Sequence, residues 1–178
     1  MAKTLIATQT ASADSSLSFT SGIDSTYDVY EFHYVNCHPG TDSVWLTFQV
    51  NAAGASGFNE TMTTSYFRAY NREDDAGTSL EYQTSSDQQQ GTSYQRLSTN
   101  AGNDNDQSVS GVLTLYAPSS TTYVKHFVSR SNSAWQADGS FDIYVGGYIN
   151  TTSAIDEIDF KFSSGNIDAG TIKMFGVS

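Results

Sequence analysis

The sequence predicts an all-β protein from three observations: a strand-favouring composition, apolar runs with a period of two, and turn residues between those runs. Aromatic residues make up 13% of the 178 residues and Gly contributes 14, whereas Lys and Arg together contribute 8. Aromatic residues favour strands, and Gly favours the turns that join strands. A chain of this length can bury a substantial core as one domain. We therefore expect a single β-sandwich domain over residues 1–178.

Apolar and polar residues alternate along the strand-like runs, which places one face of each strand in a core. The clearest runs are residues 28–35, 43–50, 141–149 and 158–162, and weaker ones are 17–20, 66–70, 109–116, 123–128 and 172–175. Roughly eight to eleven short strands separated by turn residues favour a sandwich or barrel, and we expect a jelly-roll-like β-sandwich. The residues expected in one core are Val44, Leu46, Phe48, Phe141, Ile143, Val145, Ile158, Phe160 and Phe162.

Two segments depart from this pattern. Residues 71–107 are polar almost throughout, so we expect one long polar excursion with a turn of helix near Leu80 and a brief strand at 94–97. Residues 1–13 indicate an N-terminal arm or edge strand that can leave the sandwich. The apolar run at residues 5–7 is too short for a signal peptide, and no run approaches a membrane span. We expect synthesis in a cytoplasm with no encoded export route.

Charge and cysteine content exclude several classes of function. The net charge of −11 and a pI near 4.3 argue against a nucleic-acid partner, because phosphate binding needs clustered Lys and Arg. Cys37 is the single cysteine, so no intrachain disulfide framework is possible. We expect the Cys37 thiol to act as a small apolar group at a strand end.

No catalytic signature is present in the sequence. It lacks a nucleophile elbow, a phosphate-binding loop and any paired metal-ligand motif. The histidines His33, His38 and His126 are scattered, and outward-facing or hydrogen-bonded imidazoles are the simplest interpretation of those in strands. We therefore expect no enzymatic activity, no cofactor and no tightly held transition metal.

The acidic stretch at residues 103–108 raises the question of calcium. Asp104, Asp106 and Ser108 match the first, third and fifth places of an EF-hand loop, but Val109 and Leu115 stand where that loop needs Gly and Glu. This rejects the EF-hand. A looser calcium site remains an alternative to a solvated acidic turn, with further ligands from Glu73, Asp74 or Asp75.

Four aromatic residues are candidates for a binding surface: Trp45, Trp135, Tyr144 and Tyr148. Trp45 lies opposite the apolar face of its run, Trp135 is expected in a loop at 131–139, and the two tyrosines lie opposite the apolar face of 141–149. Amphipathic aromatic side chains in such places suit either a sugar-stacking platform or a protein interface. Burial under the polar excursion is the third interpretation.

The C-terminal run TTSAIDEIDFKFSSGNIDAGTIKMFGVS carries Gly165, Asn166, Gly170, Thr171 and Ile172 before its Phe-Gly-Val ending. It resembles the C-terminal signature of small β-sandwich virion proteins of tailed bacteriophages, especially marine ones, in which a hairpin leads to an aromatic-Gly-aliphatic end. The start, MAKTLIATQTASADSSLSFTSGIDSTYDVYEF, and the phrase APSSTTYVKHF are also similar to such proteins. We accordingly expect residues 158–162 and 171–175 to form a terminal hairpin, with Ile172 and Met174 facing inward.

The resemblance implies a non-enzymatic structural role as a capsid decoration protein, a head fibre or a tail-associated fibre. The acidic charge favours the virion exterior over a surface that lines packaged DNA. The expected partners are the major capsid protein or other virion proteins and further copies of this chain, without nucleic acid or membrane. The alternative is a carbohydrate-binding receptor module of a tail or head fibre, which would bind host polysaccharide through the four candidate aromatic residues.

Overall fold

The computed structural model describes residues 2–178 as two antiparallel β-sheets packed face to face, so the predicted all-β sandwich is confirmed. A 3-10 turn at Thr84–Ser86 interrupts the strands. The strands are β1 (Lys3–Thr10), β2 (Leu17–Phe19), β3 (Val29–Pro39), β4 (Leu46–Ala52), β5 (Met62–Arg72), β6 (Thr78–Tyr82), β7 (Gln89–Gly91), β8 (Gln95–Arg96), β9 (Val109–Tyr116), β10 (Lys125–Trp135), β11 (Gly139–Ile149), β12 (Ile155–Phe162) and β13 (Ile167–Val177).

The first strands of the chain pair with later ones in a nested order, and this order gives the sandwich a jelly-roll topology. β1 pairs with β13, β2 with β12, β3 with β9 and β4 with β8, all antiparallel. These nested pairs alternate between the sheets, because β1-β13-β3-β9 are neighbours in one sheet and β2-β12-β4-β8 form the other. A long antiparallel double strand rolled over itself produces this order, which confirms the jelly-roll-like fold.

Strands inserted into the jelly roll make one sheet much broader than the other. β5, β6 and β7 lie between β4 and β8 in sequence, and β10 and β11 lie between β9 and β12. They extend the first sheet beyond β9 in the order β10-β11-β5-β6, which gives nine strands against four in the second sheet. β1 and β6 form the two edges of the nine-stranded sheet.

The expected terminal hairpin is wrong. β12 pairs with β2 and β4 in the four-stranded sheet, whereas β13 pairs with β1 and β3 in the nine-stranded sheet. The turn between them crosses from one sheet to the other, as the jelly roll requires. Within β13, Gly170 has φ +121°, and a Cβ there would lie 2.6 Å from the Cα of Cys37. Ile172 and Met174 are fully buried, as predicted.

A single apolar core fills the space between the sheets. All nine residues predicted to share a core are buried in one cluster, so this prediction is confirmed. Aromatic contacts join the layers, since Phe48 of β4 meets Phe127 of β10 at 5.0 Å between ring centroids. Phe32 of β3 meets Phe160 of β12 at 5.7 Å. Cys37 is fully buried near the end of β3, as expected of a small apolar group.

The polar excursion, residues 71–107, is folded onto the sandwich. It contains β6, the 3-10 turn, β7 and β8, so the predicted short strand at 94–97 is confirmed by β8. The predicted helical turn near Leu80 is wrong, because Leu80 pairs with Ala69 in an edge strand. Leu80 and Tyr82 point outward two residues apart, which is the spacing of a strand.

The excursion also covers the far face of β4, which alternation had predicted to lie outside the core. Thr47 and Gln49 are buried although they face away from the sandwich interior. The amide Nε2 of Gln49 donates hydrogen bonds to the carbonyl oxygens of Glu60, Thr92 and Ser93 at 3.0, 3.1 and 3.2 Å. These hydrogen bonds hold two loop segments, one at residue 60 and one at residues 92–93, against the back of the four-stranded sheet.

Small polar side chains on the inner face of β10 contact another part of the excursion, residues 97–99. Ser131 and Ser133 are buried, and their hydroxyls donate to the carbonyl oxygens of Leu97 and Thr99. The backbone of residues 97–99 therefore lies directly on the extended part of the nine-stranded sheet. Buried backbone carbonyls need such partners, which explains why serine replaces apolar residues at these inward positions.

The predicted N-terminal arm, residues 1–13, contains β1, which pairs with β13 as an edge strand; Met1 lies outside the described residues. Lys3 Nζ lies 2.6 Å from the Glu31 carboxylate, and His33 Nε2 lies 2.7 Å from the same oxygen. Although burial alone would raise the pKa of Glu31, hydrogen bonds from Lys3 and His33 lower it. This cluster ties β1 to β3 across the outer face of the sheet.

Candidate functional site

The outer face of the nine-stranded sheet carries a concentration of exposed apolar side chains. Among residues 2–178, every exposed large apolar side chain except Tyr123 lies on this face. These residues are Leu5, Val35, Phe67, Leu80, Tyr82, Tyr116 and Val128. Exposed apolar surface concentrated on one face is typical of an interaction surface.

An aromatic row, which we define as Tyr82, Phe67 and Tyr144, crosses this face near β6. The three residues are direct cross-strand neighbours on β6, β5 and β11. The rings of Phe67 and Tyr144 are stacked, with centroids 4.9 Å apart and an interplanar angle of 2°. The guanidinium of Arg130, on β10, lies 5.1 Å from the Tyr144 ring. Protein groups therefore lie on the faces of the Tyr144 ring, which limits its use as a platform for a sugar.

Tyr148 extends the same face, four residues beyond Tyr144 on β11. Its hydroxyl lies 3.5 Å from Nε2 of Gln90, and its ring centroid is 6.4 Å from that of His126. Gly146 lies between the two tyrosines along β11, and because it has no side chain it leaves the sheet backbone uncovered at that point. The structure thus brings Tyr144 and Tyr148 to one surface, as their spacing predicted.

Trp135 is not in a loop, so that prediction is wrong. It is the last residue of β10 and pairs with Gly139 of β11. Its ring packs against Phe141 at 5.0 Å and Tyr70 at 5.9 Å, and the Arg72 guanidinium lies 5.3 Å from it. The indole is thus part of the sandwich end, because β10 runs to Trp135 and β11 begins at Gly139, which leaves only residues 136–138 as the turn.

Trp45 lies on the opposite side of the molecule from the two tyrosines, at the start of β4. Its half-buried ring lines a cleft of about 450 Å³. The Arg96 guanidinium lies 3.9 Å from the centre of the Trp45 ring. The four predicted aromatic residues therefore do not form one site. Sequence reasoning missed Arg96, since nothing in the local pattern around it indicates a contact with Trp45.

The structure brings three of the acidic residues considered for calcium, Glu73, Asp104 and Asp106, into one cleft, whereas Asp74 and Asp75 are not in its lining. Glu73, Asp104, Asp106 and Asp138 line a cleft of about 310 Å³ beside Trp135. Even so, within residues 2–178 no three carboxylate, imidazole or thiol groups converge closely enough to hold a metal ion. The carboxylate of Asp74 instead binds Arg72, which with the Ala76 amide lowers the pKa of Asp74 to about 2.

The chain matches no known protein-family model, and comparison with curated proteins and with solved structures finds no significant similarity. In the described part of the chain, no helix is long and apolar enough to cross a membrane.

Proposed function

We propose that the chain is a structural protein on the exterior of a tailed-bacteriophage particle, most simply a capsid decoration protein of the cement or head-fibre kind. It acts through contacts with the major capsid protein or other virion proteins and with copies of itself, without catalysis. The observation that carries the proposal is the outer face of the nine-stranded sheet, where exposed apolar side chains concentrate. The resemblance of the C-terminal run to phage virion proteins supplies the biological setting.

The chemistry of the outer face favours a protein partner over a sugar. In the aromatic row, Phe67 and Tyr144 stack on each other and Arg130 lies near the second ring, so ring edges face outward. A sugar stacks on an open ring face, whereas ring edges and aliphatic groups pack well against another protein. The net charge of −11 further disfavours a surface that faces packaged DNA.

The contact surface can be tested with matched variants on particles from which the protein has been stripped. The variant Phe67→Ser/Leu80→Ser removes two exposed apolar side chains of the outer face, and Tyr123→Ser removes one that lies elsewhere and is 73% exposed. We expect the double variant to bind stripped particles about tenfold or more weakly, the loss typical of interface anchors. Tyr123→Ser should bind like the wild type. Equal binding by all three proteins would refute this contact surface.

A second candidate function is a carbohydrate-binding receptor module, and the cleft beside Trp45 is the observation that favours it. The cleft is lined by hydroxyl and amide groups that include Ser85, Gln88 and Gln89. Such groups are the usual hydrogen-bonding partners of sugar hydroxyls. Retardation of the protein on immobilised host polysaccharide would support this function, and free passage at low salt would oppose it.

A further inference from the structure

The cleft beside Trp45 contains an arginine that lacks the usual carboxylate partner. Arg68, Arg72 and Arg130 each form a salt bridge, with Glu81, Asp74 and Asp142 respectively. These are ion pairs of 2.8 to 3.1 Å between nitrogen and oxygen. Within residues 2–178, Arg96 has no carboxylate within salt-bridge distance, although the chain is strongly acidic.

The contacts of Arg96 leave most of its donors available. Its guanidinium stacks on the Trp45 ring at 3.9 Å, and Nη1 donates to the Ser86 hydroxyl at 3.3 Å. Stacking fixes the plane of the guanidinium without using its N–H groups. Partial burial lowers the pKa of Arg96, and neighbouring Arg68 adds to this effect while Tyr66 opposes it. The cation is therefore partly desolvated and lacks a compensating negative charge.

The one carboxylate that lines the cleft is already engaged elsewhere. Oδ1 of Asp87 accepts from the Tyr66 amide at 2.7 Å, and Oδ2 accepts from the Tyr82 hydroxyl at 2.6 Å. A second cation lies at the same end of the molecule, because Lys161 Nζ is 3.9 Å from the ring centre of Tyr94, which also lines the cleft. The Tyr94 hydroxyl in turn donates to Oδ2 of Asp159 at 2.9 Å, so the two cations around the cleft face two carboxylates, and among its lining residues Arg96 is the cation without a paired carboxylate.

The remaining lining of the cleft is suited to hydroxyl groups. Ser85, Gln89 and Ser93 contribute polar side chains at its wall. Gln88 is more than nine-tenths buried, and Nε2 donates to the Ser93 carbonyl at 2.7 Å. Its Oε1 has no hydrogen-bond partner within residues 2–178.

We propose that this cleft binds an acidic sugar unit, with the sugar carboxylate held by the free N–H groups of Arg96 and the sugar hydroxyls by the surrounding amide and hydroxyl side chains. A planar guanidinium binds a planar carboxylate through two parallel hydrogen bonds, which a neutral sugar cannot form. The ligand class is therefore a uronic-acid-containing polysaccharide. This deepens the second candidate function and is independent of whether the protein decorates a capsid.

Isothermal titration calorimetry with short oligouronates tests the proposal. The probes are trimers of galacturonate, mannuronate and guluronate, matched by trimers of galactose and mannose. We expect at least one acidic trimer to bind, and both neutral trimers to bind about tenfold or more weakly, since a charge-assisted pair is lost. Arg96→Gln should remove this preference, whereas Arg130→Gln, which changes an arginine on the opposite face, should retain it.

Three results would overturn the proposal: no binding of any acidic trimer, equal binding of acidic and neutral trimers, or unchanged binding by Arg96→Gln. A fourth is binding of a tri-glutamate peptide as tight as that of the uronates, because the occupant would then be an acidic protein segment. Thermal unfolding of Arg96→Gln checks that the variant is folded. Attachment of Arg96→Gln to stripped particles should be normal, so failure here is distinguishable from failure of the capsid-decoration proposal.

Discussion

Replacing Gln49 with methionine should loosen the polar excursion from the sandwich. Gln49 is fully buried on the back of β4. Its Nε2 donates to three carbonyl oxygens in two loop segments, and its Oε1 accepts from the Val50 amide at 2.8 Å. Methionine has a similar length but offers no N–H donor. The substitution therefore keeps the volume and removes the polar contacts.

The expected loss of stability follows from the number of groups left unpaired. The two N–H donors of the Gln49 amide are shared among the carbonyls of Glu60, Thr92 and Ser93, so two full hydrogen bonds disappear. Each buried group left without a partner costs about 1 to 3 kcal/mol. We therefore expect a loss of roughly 2 to 6 kcal/mol in the free energy of unfolding. For a domain of this size that lowers Tm by about 10 °C.

Differential scanning calorimetry measures this loss, with Gln89→Met as the matched control because Gln89 is exposed. The control should change the free energy of unfolding by less than about 0.5 kcal/mol. Limited trypsin digestion adds a local measurement, since cleavage after Arg96 should accelerate in Gln49→Met well below its Tm. A Tm within 2 °C or so of the wild type would refute the packing of the excursion against β4.

Three further predictions concern a core tyrosine, the pH dependence of stability and the chain ends. Tyr66 Oη is buried without a partner within residues 2–178, so Tyr66→Phe should raise the free energy of unfolding by about 1 kcal/mol in urea titrations; a loss would contradict this. Burial raises the pKa of Tyr66 to about 12 from 10.0, and that of Cys37 to about 12 from 9.0. Tyr66 and Cys37 lose their protons at a lower pH in the unfolded chain than in the folded one. The free energy of unfolding should therefore have its full value below about pH 9 and fall as the pH rises, less steeply in Tyr66→Phe. A flat profile to pH 11 would be inconsistent with this. Deletion of residues 1–10 removes an exposed edge strand and should leave a folded protein that attaches poorly to particles, whereas deletion of 171–178 removes Ile172 and Met174 from the core and should abolish folding by circular dichroism. Normal attachment by the first truncation, or a folded second truncation, would refute this division of roles.

Local alternation was sufficient to predict the strands and their buried faces. Phe141, Ile143 and Val145 lie in the core because a strand of period two must turn them to the same side. Alternation could not reveal which sheet receives a strand. β12 and β13 adjoin in sequence and look like a hairpin, but the jelly roll pairs β13 with β3, more than a hundred residues away. That choice depends on the whole set of strands and not on the turn.

The candidate site was only partly predictable for the same reason. Tyr144 and Tyr148 share a face because they lie four residues apart on one strand. Arg96 meets Trp45 only because β8, a strand of the excursion, pairs with β4, which is a contact between distant parts of the chain. Leu80 was misassigned because a short polar segment with one apolar residue has no period to distinguish a strand from a turn of helix.

The abundance and exposure of the protein in the virion test the central claim most directly. Under the proposed function the chain belongs to a phage particle, and gradient-purified particles can be labelled from outside with a membrane-impermeant amine reagent and quantified by mass spectrometry. An exterior decoration protein should be present in a copy number of the same order as the major capsid protein. Lys161, which is part-exposed on the back of the four-stranded sheet and so away from the proposed contact surface, should be labelled in intact particles. Absence from purified virions, or labelling that occurs only after the particles are opened, would contradict the account.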